Sequence, residues 1–552
     1  MTFNYSFIKR YFHTIKYLRF IQIYSRFRLI LKLNNKKIFY RLSLNSNKQI
    51  KKWVKSPEKK QSFYKKNTFK FLNKKMRKTD WNHAKEEKLW IYNLHYFDDL
   101  NSFNANKRQK SHYNLIDRWI DENVDSSDIG WDPYPTSLRI VNWIKWSFKG
   151  NELTKKCLES LWSQTRYLSK NIEYHLLGNH LIANAKALIF AGLFFEGKVA
   201  IQIYQRGMLL LKKEFSEQIL PDGAHFELSP MYHVIVLEDI YDIYNIHQMF
   251  NVKFPNIFLK KIKLMHQWML SMTHPDGKIS YFNDSVNGIA TEIRNVKLYR
   301  ERLFKDKFKS KMSKKSKKSF KHFLNSQYSR VETKHAVVII DRAQIGPSYI
   351  PGHAHADTLS FELSLYNQRF IVNSGISTYE PGNKRHLERS TLSHSTIIVD
   401  NHNSSDIWDS FRVGKRAKIV KYKNTSKDKI MTLLGAHNGY SFLPGKPIHY
   451  RDWTLENISL TIIDIIKGKG KHSIQHILPI HPDVRIILIK ENYAHLNVSG
   501  REVKIEYNGC GKLKKVPSFY CQEFGILKKN FKMVYEVFQE LPIKIETRIL
   551  WK

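Results

Sequence analysis

The stretch GHAHADTLSFELSLYNQRFIVNSGISTY, residues 352–379, decides the fold. Apolar and polar residues alternate within it from Leu359 to Leu365. A period of two places successive side chains on opposite faces of a β-strand, whereas an amphipathic helix repeats every three to four residues. The stretch therefore predicts a strand with one apolar face and one polar face.

Other segments around this strand are rich in β-branched residues and are mostly bounded by Gly, Asn, Asp or Lys. They are His335–Asp341, Arg369–Val372, Ser395–Asp400, Ile458–Ile466, Val484–Lys490 and Val503–Tyr507. Many short strands that follow one another without helices between them favour an antiparallel sandwich over a parallel α/β sheet.

Upstream, from about residue 85 to 300, apolar residues recur at helical spacing. The clearest segments are Leu138–Phe148, Leu158–Leu168, Leu181–Phe195, Val199–Leu211 and Val234–Met249. A lysine-rich run near residues 305–330 is typical of a solvated linker. We therefore expect three parts: a basic N-terminal extension (1–85), a helical domain (86–325) and an antiparallel β-sandwich (326–552).

The composition limits the partners. Among 552 residues, 92 Lys and Arg outnumber 49 Asp and Glu, which gives a net charge of +43. Such a field attracts polyanions, so nucleic acid, anionic lipid and acidic polysaccharide all qualify. A compositional bias towards Lys, Asn, Ile, Phe and Tyr explains the charge equally well. The three cysteines exclude a disulfide framework and allow at most one bridge, Cys510 to Cys521.

The N-terminal segment combines cations with short apolar runs. Lys16, Arg19 and Arg26 interrupt these runs, so we expect no cleavable signal peptide, and no apolar stretch is long enough to span a bilayer. We expect a cytoplasmic or membrane-peripheral protein, with a periplasmic or secreted one as the alternative. A basic, aromatic segment of this kind could lie against an anionic membrane.

Four clusters carry residues of catalytic type. Asn179 and His180 open an apolar helix, whose N-terminus favours an anion, although Asn179 would equally serve as a helix cap. Tyr232 lies on the first turn of a helix after Pro230, where a lone tyrosine is usually a packing residue. The other two clusters are GHAHAD at 352–357, and NSG at 373–375 with the downstream Tyr379, Arg385, Arg389 and His394. Alternating histidines at 353 and 355 favour metal ligation and an incidental polar loop equally.

In this order and spacing the clusters resemble the heparinase II/III family of polysaccharide lyases, which is related to a group of alginate lyases. The resemblance covers roughly residues 90–410. It rests on the stretch at 352–379 with HSTIIVDN after it, and on NLHYFDDL at 93–100, WDPYPTSLRIVNW at 131–143, GNHLIANAKAL at 178–188 and LPDGAHFELSPMYH at 220–233. The resemblance implies an incomplete N-terminal (α/α) toroid followed by a C-terminal antiparallel β-sandwich.

The resemblance also implies β-elimination on a glycan that contains uronic acid. Such an enzyme removes the proton on carbon 5 and expels the oxygen on carbon 4, while donors neutralise the carboxylate. By resemblance, Asn179 and His180 neutralise the carboxylate, and Tyr232 and His353 supply the acid and the base. A tyrosine base would need nearby cations such as His180 and His233 to favour the phenolate, whereas a neutral Tyr232 would donate to the leaving oxygen.

The family's sandwich often carries one structural divalent metal, zinc or calcium. The matching positions are His355, Asn373 and His394. Asn373 departs from the expected aspartate and lacks the anionic charge that a divalent cation favours. A buried hydrogen-bond network among the three residues is an equally good expectation.

Arg139 and Arg389 are candidates for binding sugar carboxylates or sulfates, and a surface ion pair or core packing is the alternative. A hydrolase would instead need two opposed carboxylates, for which Asp222, Glu227, Asp276 and Asp284 are available. Asp222 and Asp276 are better explained by the turns that contain them.

Three functions follow. The first is a lyase acting on an acidic polysaccharide, with a role in bacterial surface polysaccharide metabolism as one setting. The second is a non-catalytic protein that binds such a polysaccharide. The third is a nucleic-acid binder, which ranks last because the sequence contains no recognised nucleic-acid module. The sequence makes no prediction of the oligomeric state.

Overall fold

A computed structural model describes residues 5–31, 51–78, 80–82, 87–124, 128–305, 319–427 and 430–551. Its helices are α1 (Tyr5–Ile15), α2 (Phe20–Ile30), α3 (Lys88–Tyr96), α4 (Gln109–Glu122), α5 (Pro133–Ser147), α6 (Lys155–Lys170), α7 (Asn179–Phe194), α8 (Lys198–Gln218), α9 (Pro230–Met249), α10 (Asn256–Ser271), α11 (Ile293–Phe304) and α12 (Asn383–Arg389). Helices α3 to α11 form the helical domain, as the apolar spacing predicts.

Helix α7 is the centre of this domain. It packs against α5, α8 and α9, and every one of its residues except His180 is buried. A helix that is apolar on all sides belongs inside a domain, because no face of it gains from contact with water. The burial fixes the start of α7, where Asn179 and His180 lie, in the interior of the toroid.

A small antiparallel sheet precedes the helices. Its strands are β1 (Phe63–Tyr64), β2 (Thr68–Phe71) and β3 (Lys74–Arg77). Phe63, Phe69 and Phe71 join the core of the helical domain, and the ring of Phe71 meets Trp90 with centroids 5.1 Å apart. Residues 63–77 are therefore packed into the helical domain. The sequence places them in a separate N-terminal extension, so the structure corrects that expectation for this segment.

The strands of the C-terminal domain are β4 (Ser319–His322), β5 (Tyr328–Glu332), β6 (Ala336–Asp341), β7 (Phe361–Leu365), β8 (Gln368–Ile371), β9 (Ile397–Val399), β10 (Ile407–Trp408), β11 (Arg412–Val413), β12 (Ile419–Lys427), β13 (Ile430–His437), β14 (Ile448–Leu455), β15 (Ser459–Lys467), β16 (Lys471–Ile480), β17 (Arg485–Ile489), β18 (Tyr493–Val498), β19 (Arg501–Asn508), β20 (Lys512–Glu523), β21 (Ile526–Glu540) and β22 (Ile543–Trp551). One sheet has the order β12-β13-β14-β15-β22-β19-β18-β17, and the other has the order β20-β21-β16-β8-β7-β6-β5-β4 with β9 beside β16. Strand β4 begins a few residues before the expected boundary at 326.

The two sheets share one apolar core, which includes Leu363 of one sheet and Ile462 of the other. The predicted alternation in β7 is confirmed, but both faces of the strand are buried. Its polar face meets the helical domain, where His274 Nε2 lies 2.8 Å from Glu362 Oε2 and His274 Nδ1 lies 2.7 Å from Ser364 Oγ. The architecture is the predicted helical toroid followed by an antiparallel β-sandwich.

The linker is expected at residues 305–330. Residues 306–318 lie outside the described residues, whereas residues 319–330 contain β4 and the start of β5, so this part is not a linker. The cysteines at 157, 510 and 521 are free, so the one bridge that the sequence allows, Cys510 to Cys521, is not formed. Within the described ranges no helix is long and apolar enough to cross a bilayer.

Candidate active site

The four residues expected to act chemically come together where the two domains meet. Tyr232 lies on the first turn of α9, and His353 lies in the segment before β7. Their rings stack with centroids 3.9 Å apart. Asn179 and His180 open α7, and Glu227 links them to this pair because its carboxyl contacts the Asn179 backbone and approaches His353.

The start of α9 holds Tyr232 in place. Pro230 occupies the first turn, where its missing N–H costs nothing, and the Ser229 side chain caps the helix by accepting the Tyr232 N–H at 3.2 Å. The same Ser229 hydroxyl donates to the Asp284 carbonyl at 2.7 Å. The capping residue therefore joins Tyr232 to the loop that carries Asp284.

The surroundings of Tyr232 favour the neutral phenol. Burial raises its pKa well above the usual 10, and the neighbouring Tyr379, whose hydroxyl lies 3.0 Å away, raises it further. His233 does not supply the expected cation: burial lowers its pKa to about 4, and its Nε2 bonds to the Met265 carbonyl at 2.8 Å. A neutral tyrosine is a proton donor, which fits the acid role.

Asp284 fixes the orientation of His353. His353 Nδ1 lies 2.9 Å from Asp284 Oδ2. The Arg385 guanidinium donates to both carboxylate oxygens of Asp284, at 2.6 and 2.7 Å. Burial would raise the pKa of Asp284, but Arg385 and the two histidines bonded to it hold that pKa well below its usual range. Because a carboxylate only accepts hydrogen bonds, His353 carries its proton on Nδ1, and Nε2 is left as the basic nitrogen.

The surroundings of His180 favour its protonated state. Its Nδ1 lies 3.2 Å from Glu173 Oε1, and a quarter of its side chain is exposed. Burial alone would lower the pKa of His180, but the charge of Glu173 and the hydrogen bond to it outweigh burial and raise that pKa. The N–H groups at the start of α7 add to the positive potential, so this corner suits an anionic substrate group.

The two arginines expected to bind substrate have structural roles instead, since both side chains are fully buried. Arg139 donates to Gln164 Oε1 at 2.8 Å and to the Gly130 carbonyl at 2.9 Å. Arg389 donates to the Ala354 carbonyl at 3.0 Å and so braces the segment that carries His353. The expectation fails because these donors are used to satisfy buried carbonyls.

The residues expected to hold a metal form a hydrogen-bonded chain. His355 Nδ1 lies 3.2 Å from His394 Nε2, and His394 Nδ1 lies 3.0 Å from Asn373 Oδ1. Asn373 and His355 thus contact different ring nitrogens of His394, Nδ1 and Nε2. The three side chains therefore do not point at one shared position where a metal ion could bind. Within the described part of the chain no group of three His, Cys, Asp or Glu side chains could hold a metal ion. Bound zinc has its ligands around one centre, which this arrangement does not provide, and the chain of hydrogen bonds corresponds to the buried network given as the alternative.

The sequence interpretation missed the supporting roles of three residues. The sequence offers Asp284 only as a carboxylate for a hydrolase, and Arg385 and Tyr379 only as members of the fourth cluster. The turn roles expected for Asp222 and Asp276 are seen: each accepts a backbone N–H two residues ahead, at 3.2 and 2.9 Å. Two carboxyl groups, those of Asp284 and Glu227, do lie beside the stacked rings, but both face ring nitrogens of His353: Asp284 faces Nδ1 and Glu227 faces Nε2.

Comparisons with known proteins cover nearly the whole chain. A family model described as "Heparinase II/III N-terminus" matches residues 18–312, and one described as "Heparinase II/III-like, C-terminal" matches residues 315–548. A heparin-sulfate lyase of Pedobacter heparinus is 27% identical over 293 residues, which are 49% of this chain and 43% of that protein. One of Bacteroides stercoris is 26% identical over 247 residues, 42% of this chain and 37% of that protein. The chain thus aligns with less than half the length of these relatives.

Solved structures share the fold. A crystal structure of heparinase III superposes with a TM-score of 0.72 at 17% identity, covering 87% of this chain and 80% of that one. A heparan sulfate lyase of Pedobacter heparinus superposes with a TM-score of 0.60 at 17% identity, covering 96% and 87% of the two chains. At such identity the likeness shows the architecture alone.

Proposed function

Because this chain belongs to the heparinase II/III family, whose two domain models together match most of its length, we propose that it is a polysaccharide lyase. It cleaves a glycan that contains uronic acid by β-elimination. The observation that carries the proposal is the stacking of Tyr232 on His353 at 3.9 Å, with Glu227 joining this pair to the start of α7, where His180 lies. The relatives named heparin-sulfate lyases support the same activity.

Each residue has one task in this reaction. The substrate carboxylate binds at the start of α7, where His180 and Asn179 neutralise its charge and so make the carbon 5 proton more acidic. His353 Nε2 takes that proton, since Nδ1 is committed to Asp284. Tyr232, held neutral by burial, which raises its pKa, protonates the leaving oxygen on carbon 4.

The test of this function is the absorbance of an unsaturated product. Purified protein is incubated with heparan sulfate, hyaluronan, chondroitin, alginate and the host's own acidic polysaccharide. We expect an ultraviolet signal from one of them. If no glycan gives an increase in ultraviolet absorbance and one of them binds in a salt-dependent manner, the proposal is contradicted. That result would favour a non-catalytic protein that binds the polysaccharide.

The pH dependence of this reaction follows from His180. Its pKa is raised by Glu173, so the imidazolium is present below that pKa and is lost as the pH rises through it. We therefore expect kcat/KM to fall on the alkaline side of a raised histidine pKa. Measuring kcat/KM against pH checks this.

The control is Glu173→Gln, which removes the charge that favours the imidazolium. The alkaline fall should then move to lower pH. An unchanged profile in this variant would show that His180 does not carry the charge that the substrate needs.

We also propose that helices α1 and α2 bind an anionic membrane. Residues 5–31 contain six Lys and Arg and no Asp or Glu. Large apolar side chains point outwards, among them Phe12 (63% exposed), Phe20 (80%), Phe27 (59%) and Ile30 (77%). Exposed aromatic residues beside cations are typical of segments that insert into the headgroup region of anionic lipid.

This α1–α2 surface is anchored beside the active site. The Arg19 guanidinium lies 3.6 Å from the centroid of the Tyr349 ring, and Gln22 Nε2 donates to the Tyr349 carbonyl at 3.3 Å. Tyr349 lies four positions before His353 in the same segment. The α1–α2 surface is therefore joined to the segment that carries His353.

Vesicle binding tests the α1–α2 surface. We expect the protein to sediment with vesicles of phosphatidylcholine and phosphatidylglycerol at low salt, and Phe20→Ser with Phe27→Ser to weaken binding roughly 100-fold, because each buried Phe contributes about 1.5–3 kcal/mol. The matched control replaces Leu324 and Phe538, which are equally exposed elsewhere. Equal binding by both double variants, or none by the native chain, would contradict the proposal.

A further inference from the structure

Glu227 occupies a position that the backbone is shaped to admit. It lies in the loop before α9, and its Oε1 accepts the Asn179 backbone N–H at 3.4 Å. A Cβ atom on Gly178 would lie 2.5 Å from Oε1, and Gly178 has a φ of +60°. Only glycine combines that conformation with so little space. The turn before α7 is therefore built around the Glu227 carboxyl.

The second carboxyl oxygen of Glu227 has no hydrogen-bond partner among the described residues, although the side chain is almost completely buried. The atom facing it is His353 Nε2, at 3.8 Å. A buried carboxyl oxygen without a partner costs free energy of folding. Burial accordingly raises the pKa of Glu227, and the nearby His353 partly offsets this effect. Because this carboxyl group does not stabilise the fold, its presence here needs a different explanation.

The charges around His353 supply that explanation. On the Nδ1 side, the charge of Asp284 is matched by the bidentate Arg385. On the Nε2 side, Glu227 has no bidentate arginine: it faces His353 Nε2 at 3.8 Å, and His180 lowers the pKa of Glu227 less than His353 does. A separation of 3.8 Å allows strong attraction in a buried setting. Of the two carboxyl groups beside His353, Glu227 is therefore the less compensated one, and it is the one next to the nitrogen that acts in the reaction.

We propose that Glu227 is a positioning residue whose carboxylate stabilises His353 in the protonated state formed during β-elimination. When the bond between carbon 5 and its hydrogen breaks, the electron pair stays on the substrate and the proton forms a bond with Nε2. That pair forms the double bond between carbons 4 and 5 as the bond from carbon 4 to its oxygen breaks, and the leaving oxygen takes the proton of Tyr232. The His353 imidazolium lies between two carboxylates until, after the product leaves, its proton returns directly or through solvent to the Tyr232 phenolate. The inference rests on the proposed lyase function, and Glu227 acts through His353 without touching substrate.

The test compares Glu227→Gln with the native protein on the glycan that the native protein cleaves. Glutamine keeps the shape and the oxygen that accepts the Asn179 N–H, but it removes the charge. We expect kcat to fall about 10- to 100-fold with KM unchanged, because the charge acts on the protonated intermediate and not on bound substrate. We expect the thermal midpoint to stay the same or rise, because an unpaired buried charge is lost.

The matched control is Glu214→Gln. Glu214 is also buried, and burial also raises its pKa, but its partner is Gln218, whose Nε2 donates to it at 2.8 Å. We expect native kcat in this variant. An equal loss in both variants, or a Glu227→Gln midpoint several degrees lower, would mean a structural role and overturn the inference.

The two proposals fail in different ways. An active native enzyme with an equally active Glu227→Gln variant overturns the role of Glu227 and leaves the lyase function standing. A native enzyme that cleaves none of the glycans overturns the lyase function, and the role of Glu227 falls with it.

Discussion

Replacing Tyr232 by phenylalanine is expected to lower kcat about 1000-fold, within the range that a positioned proton donor contributes. The variant keeps the ring that stacks on His353 at 3.9 Å and loses only the hydroxyl. Without a donor, the oxygen on carbon 4 must leave as an alkoxide, which is a poor leaving group. The initial rate at which unsaturated product forms measures the fall in kcat. The thermal midpoint of unfolding should barely change.

Tyr379→Phe is the matched control. The Tyr379 hydroxyl lies 3.0 Å from that of Tyr232 and also carries a pKa raised by burial. Since the proposed mechanism uses Tyr379 only as a neighbour of the donor, we expect a loss of roughly tenfold or less. A Tyr379→Phe variant as inactive as Tyr232→Phe would show that the acid has been assigned to the wrong tyrosine.

Asp284→Ala is expected to have the largest effect on stability. It would leave the fully buried Arg385 without its charge partner and remove the acceptor for both His353 and His355. Breaking a buried ion pair from one side costs about 3–5 kcal/mol, which for a domain of this size lowers the thermal midpoint by roughly 6–15 °C. Catalysis should be lost as well, because His353 no longer has a fixed orientation.

Two comparison variants isolate the ion pair. Asp276→Ala breaks the pair with Arg369, where the carboxylate is partly exposed and Arg369 keeps Glu362 at 3.7 Å, so its effect should be much smaller. Adding Arg385→Met to Asp284→Ala removes the orphaned charge and should restore part of the midpoint without restoring activity. An Asp284→Ala protein as stable as the native one would refute this account of the site.

The pKa of Asp284 determines the direction in which pH changes the stability that this residue contributes to the fold. Its pKa is held well below the usual range by Arg385, against the effect of burial. The stability that the carboxylate contributes is therefore complete at neutral pH. It is lost only when the pH falls below the ordinary range for aspartate towards the depressed value.

The sequence by itself determined the architecture. The alternation from Leu359 to Leu365 and the helical spacing in α5 to α9 are local patterns, and local patterns set which face of each element is buried. The ordered motifs also indicated Asn179, His180, Tyr232 and His353, which the structure places around one junction. These residues could be found because each lies within a short, ordered motif.

Only the tertiary structure decided how the site is supported. Asp284 lies 69 residues from His353 and 101 residues from Arg385, so no local pattern joins them. Arg139 and Arg389 are candidates for substrate binding from the sequence, but neighbouring elements bury both. Long-range packing also left Glu227 without a bidentate arginine on the side that faces His353. Burial and charge balance depend on what the rest of the chain places around a side chain, and a sequence read locally does not contain that information.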